Sequence, residues 1–64
     1  MIRIIGRKSE QKFIDTALKL NDLMASFLIS RERFVAILNG NPATSDDIVN
    51  PDDDLVLLEV FSGG

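Results

Sequence analysis

The sequence predicts a two-layer α+β domain, one helix laid across one face of a mixed sheet. Three observations carry that expectation. Leu20, Leu23, Met24, Phe27 and Leu28 recur at the spacing of a single helical face. The stretches Met1 to Gly6, Arg33 to Leu38 and Leu55 to Phe61 are rich in β-branched and large apolar residues and read as strands. Asn39-Gly40, after the second of them, suits the positive φ angles of a tight turn. A lone helix must bury its stripe against a sheet face, and the result is two layers.

The elements follow in order. Met1 to Gly6 is a first strand, Arg7-Lys8-Ser9-Glu10 a polar turn, and Gln11 to Asp15 a short return strand that completes a hairpin. The helix falls between Thr16 and Ser30. Asp15 can cap a helix starting at Thr16, or the helix starts nearer Leu20 after an irregular link. Beyond the Asn39-Gly40 turn, Asn41 to Thr44 supplies a very short strand, and Ser45 to Asp54 is loop, with Ile48 and Val49 anchored on the core. Leu55 to Phe61 is the last strand. If first and last strands pair at the centre, the sheet is mixed, four- to five-stranded and crossed by the helix on one face. That arrangement is the β-grasp. No repeat or linker interrupts it, so residues 1–64 are expected to form one domain with a flexible tail at 61–64.

Composition narrows the chemistry. The chain has neither cysteine nor histidine, so disulfides, thiolate nucleophiles, imidazole bases and the usual zinc ligands are all excluded. Without staples, the 45% of hydrophobic residues must supply the core. No apolar stretch approaches the 18 or so residues of a membrane span, and no signal-peptide pattern opens the chain, so a cytoplasmic protein without membrane attachment is expected. A net charge of -3 argues against a domain built to grip nucleic acid. Arg3, Arg31 and Arg33 lack a stacking platform and read as solvated charges. All seven cations lie at or before residue 33. Asp46, Asp47, Asp52, Asp53 and Asp54 crowd two later loops, either as solvated turns or as a steering patch for a basic partner. No Asp or Glu pair shares a buried face, so the chain is not expected to be an enzyme.

The most telling feature is Ser62-Gly63-Gly64, directly after an apolar run. Side-chain-free residues form a thin peptide that enters slots closed to other dipeptides, and two adjacent glycines at a given place arise by chance only about once in 200 chains. A frayed tail is the competing reading. Phe61 is either the anchor that fixes where the tail departs or a last core aromatic.

The element order, the Leu20-Asn21-Asp22-Leu23-Met24 helix opening, the Ala36-Ile37-Leu38-Asn39-Gly40-Asn41-Pro42 turn, the Asp52-Asp53-Asp54 loop and the terminal Ser62-Gly63-Gly64 resemble the ThiS/MoaD family of ubiquitin-like sulfur carriers, to which the archaeal small modifier proteins are similar. The resemblance spans the chain and is specific mainly from Val35 onward. Lys19 stands where the family often has a Thr cap, and the Asp triplet lacks the family's glycine.

The resemblance implies that an E1-like adenylating enzyme uses its own ATP and Mg to convert the Gly64 carboxylate into an acyl adenylate. A sulfur donor then displaces AMP to give a thiocarboxylate, which a downstream sulfur-accepting enzyme consumes in thiamine or molybdopterin biosynthesis or tRNA thiolation. The chain binds no cofactor itself. Gly63, Ser62 and Phe61 provide access and reach, because a side chain that displaces the acyl group by about 1 Å costs on the order of 100-fold in rate. The alternative is a ubiquitin-like modifier, its activated Gly64 captured by a target lysine. A non-catalytic adaptor with incidental glycines is the third reading.

Register with ubiquitin-like tails places Phe34, Ala36, Leu38, Leu55 and Leu57 against the helix. Val35, Ile37, Val56 and Leu58, joined by Ile5, then lie on the open face and form the expected docking patch for the activating enzyme. Alternatively those residues serve only β-propensity. A monomer is expected, with self-association through this face left open.

Overall fold

Extended backbone throws residues two apart to the same side, so Ile2 with Ile4 and Leu55 with Leu57 are obliged to share a face. The computed structural model, which describes residues 1–60, shows what they face. In chain order the elements are β1 (Ile2–Ile5), β2 (Glu10–Lys12), β3 (Leu18–Lys19), α1 (Leu20–Ser26), a 3₁₀ turn at Arg31–Arg33, β4 (Phe34–Leu38), β5 (Asn41–Pro42), β6 (Ile48–Val49) and β7 (Leu55–Glu59). The main sheet runs β2-β1-β7-β4-β5. Its centre is the parallel pair β1 and β7, flanked by antiparallel partners on each side. This mixed five-stranded sheet under one helix is the β-grasp.

Ile2, Ile4, Leu55, Leu57 and Ala36 present one face of the sheet to Leu20, Leu23 and Met24 of α1, and Val49 closes the cluster. Each fully buried large aliphatic side chain contributes about 1.5–3 kcal/mol relative to its exposed state. Phe34, Leu38, Phe27 and Ile29 pack around the margin. No helix of the described residues is long and apolar enough to cross a membrane.

Several boundaries differ from expectation. The helix spans only Leu20–Ser26, about 10 Å at 1.5 Å per residue, so the later of its two anticipated starts holds. Lys19, at the N-cap, makes no side-chain cap. Main-chain carbonyls replace it: the Leu20 N–H donates to Asp47 O at 2.8 Å and the Asn21 N–H to Ser45 O at 3.1 Å. Phe27 and Leu28 continue the apolar period but lie past the helix. The chain there turns left-handed at Leu28 (φ 58°), with the Ile29 N–H bonded to Met24 O and the Leu28 N–H to Ala25 O, the hydrogen-bond pair of a Schellman stop. Leu28 is therefore 94% exposed instead of facing the core.

The short β3–β6 ladder joins Leu18 to Val49 and Lys19 to Ile48, in segments expected to be helix or link and loop. It buries Val49 and leaves Ile48 49% exposed, so only one of the two expected anchors holds. Arg33 closes the 3₁₀ turn instead of opening a strand. The hairpin turn is as expected, with Asn39 at φ 51° and Gly40 at φ 85°.

Candidate functional site

The last strand in sequence is the middle strand in space. β7 runs between β1 and β4 and finishes at Glu59, opposite Phe34. The Glu59 carboxylate accepts the Arg7 N–H at 3.0 Å, and the Val60 N–H donates to Arg33 O at 2.6 Å. Two hydrogen bonds to neighbouring segments thus tie down Glu59 and Val60 at the end of the strand. Gly6 lies close beside this point: a Cβ there would meet the Glu59 Cβ at 2.6 Å, so the approach requires glycine. Phe61, Ser62, Gly63 and Gly64, the predicted tail and attachment point, lie outside the described residues.

The five residues predicted for the open face share it. Arg3 aligns with Val56 and Ile5 with Leu58 across β1 and β7. Val35 aligns with Leu58 and Ile37 with Val56 across β7 and β4. One row therefore reads Ile5, Leu58, Val35, and the next Arg3, Val56, Ile37, with Pro42 opposite Ile37 on β5. Directly opposed Cβ atoms in such rows are about 4.5–5.5 Å apart, within contact of their neighbours. Ile5 and Val35 are 43% and 47% exposed, while Val56, Ile37 and Leu58 are half-buried. The helix-facing set is equally as expected: Leu38 opposes Leu55 and Ala36 opposes Leu57.

Arg3 and Pro42 were not among the predicted patch residues. Their signal was present, since Arg3 is an odd-numbered β1 residue like Ile5. Its guanidinium sits 3.8 Å from the Asp54 carboxylate, which places a cation at the patch edge nearest the acidic loop.

That loop clamps the far end of β7. The Asn39 side chain accepts the Asp54 N–H at 2.9 Å, while its amide donates to Asp53 at 3.2 Å. The Asn50 N–H donates to the Asp53 carboxylate at 2.8 Å. These bonds favour the charged form, the Asn50 backbone N–H most, and hold the Asp53 carboxyl below its ordinary range. Among the described residues no group of three or more acidic side chains is gathered as a metal site. The aspartates thus build turns, at least in part.

Comparison with protein-family models finds none that matches the chain, and comparison with curated proteins finds no match either.

Proposed function

We propose that the chain is a ubiquitin-like sulfur carrier whose Gly64 carboxylate is adenylated by an E1-like enzyme and then converted to a thiocarboxylate. One observation supports the reading most: the apolar open face and the point from which the Ser62-Gly63-Gly64 segment continues belong to the same central strand. Val56 and Leu58 lie on that face of β7, and the strand ends at Glu59, two residues before Phe61 and four before Gly63 in the sequence. A partner docked on Val56, Leu58, Ile37, Val35 and Ile5 would sit on the strand that leads, in sequence, into Ser62-Gly63-Gly64. Contiguous exposed apolar groups commonly mark partner surfaces.

The chemistry asks little of the carrier. A carboxylate is a poor electrophile at neutral pH, and its attack on the α-phosphorus of ATP releases pyrophosphate and leaves an acyl adenylate. A sulfur nucleophile then adds to the acyl carbon and AMP departs, so oxygen is exchanged for sulfur. Acid, base and metal all belong to the activating enzyme.

The test is the intact mass of the chain after incubation with ATP, a sulfur donor and an E1-like enzyme of the same organism. The expected result is a gain equal to one oxygen replaced by one sulfur, localised to Gly64. Val56→Lys should remain folded and be charged at least about tenfold more slowly. A wild-type mass that never changes, or a folded Val56→Lys chain charged at the wild-type rate, would sink respectively the carboxylate chemistry and the docking face. Capture of Gly64 by lysines of other proteins would instead identify a modifier.

A further inference from the structure

On the helix side of the sheet, away from the Val56 and Leu58 face, a groove of about 430 Å³ opens where α1 ends and β4 begins. Its floor is apolar, made by Phe27, Ile29 and Phe34. Its rim is cationic. Arg7, Lys8, Lys12 and Arg33 line it, four of the chain's seven cations, and among the described residues the carboxylates there are those of Glu10 and Glu59. Both carboxylates already have partners, Glu10 with Lys12 at 3.6 Å and Glu59 with the Arg7 N–H. A chain of net charge -3 thus gathers a local excess of positive charge around one apolar hollow. The five loop aspartates lie elsewhere: Asp46 and Asp47 belong to the segment whose Ser45 and Asp47 carbonyls bond the opposite end of α1, and Asp52 to Asp54 precede the opposite end of β7.

Leu28 makes the hollow harder to dismiss as a packing defect. It stands on the rim almost wholly in solvent, at a left-handed φ that glycine adopts without strain and leucine does not. A strained, exposed apolar residue beside an apolar floor is a feature the fold does not need. Strain of this kind concentrates at functional positions. Lys12 lies 5.3 Å from the Phe27 ring centre, so a cation stands directly over the aromatic floor.

We infer that this groove is a docking site for an acidic segment of another protein that inserts a bulky apolar side chain onto Phe27, Ile29 and Phe34, with its carboxylates against Lys12 and Arg33. Charge complementarity selects the partner. The size of the hollow suits one or two side chains, as in other concave sites. The proposal does not rest on the sulfur-carrier reading; the groove lies off the open face but shares Arg7, Arg33 and Glu59 with the end of β7.

The probe is a fluorescein-labelled synthetic peptide in which a Leu-Phe pair is flanked on both sides by Asp and Glu, titrated with the full chain and read by anisotropy. Binding is expected, weakening as salt rises. Lys12→Glu combined with Arg33→Glu should weaken it at least about tenfold. Leu28→Gly should weaken it too, in a protein at least as stable as the wild type, whereas Val56→Lys on the other face should leave it unchanged. Equal binding of a peptide with Lys in place of Asp and Glu would overturn the proposal. So would full affinity in both groove variants, or competition of the peptide by phosphatidylserine vesicles or by a second copy of the chain.

Discussion

At the scale of single residues, Leu28 is the one whose chemistry and conformation disagree. Residues at a left-handed C-terminal helix stop are commonly glycine, because a Cβ there crowds the adjacent carbonyl by roughly 1–2 kcal/mol. The Leu28 side chain recovers almost nothing by packing, since 94% of the residue is exposed. Leu28→Gly should therefore raise stability by about 0.5–1 kcal/mol, net of the extra freedom glycine gives the unfolded chain, and the melting temperature by roughly 2–8 °C. Thermal unfolding by circular dichroism measures it; a lowered melting point would mean that the side chain packs in a way the structure does not show. The same residue marks the limit of what could be read in advance. Asn39 and Gly40 announce their positive φ by their identity. Leucine announces helix, and its place in the apolar period of Leu20, Leu23, Met24 and Phe27 concealed the stop.

Among the elements, the hairpin and the strand faces were legible because both depend on neighbours in sequence. Two-residue alternation sorted the side chains of β4 and β7 into two sets, and register with ubiquitin-like tails named which set faces the helix, because both strands are apolar throughout. The β3–β6 ladder was not legible, since Leu18 and Val49 are brought together only by the fold, and two residues carry no period. The capping of α1 escaped for the same reason: its donors are satisfied by carbonyls of Ser45 and Asp47, far along the chain. The loop over 50–54 shows how such distant ties respond to conditions. Asp53 has its carboxyl held below the ordinary value of 3.8, first by the Asn50 N–H and then by the Asn39 amide. Its charged form is thus favoured by folding, so its stabilisation is present above about pH 4 and disappears as pH falls through the lowered folded value. Asp53→Asn should be less stable than wild type at pH 7 in urea unfolding, and the gap should narrow as the titration approaches about pH 2.5. A gap that stays constant with pH would show that the carboxylate charge is not involved. Exposure to solvent keeps the effect small.

For the molecule as a whole, size governs tolerance. A domain of 64 residues hides only about 60% of the surface its open chain exposes, and at about 0.05–0.15 kcal/mol per residue its total stability is roughly 3–10 kcal/mol. Leu57 is fully buried on the central strand between Ile4 and Ala36. Leu57→Ala should cost about 2–5 kcal/mol, enough to leave much of the population unfolded, with a lower urea midpoint and collapsed chemical-shift dispersion; a midpoint within experimental error of wild type would refute the assigned core. The central position of β7 also has a temporal meaning. Until that strand is available, β1 holds only β2 and β4 holds only β5, and no strand of the main sheet joins the two hairpins, which the β3–β6 ladder alone ties indirectly through Leu18 and Val49 among the described strands. During translation, then, the nascent chain can make local ribbons and the β3–β6 ladder, but the five-stranded sheet cannot close before Leu55–Glu59 is free to pair. The domain therefore matures in one late step, and a product interrupted upstream of Leu55 is left with two unsealed strand edges for quality-control proteases to find.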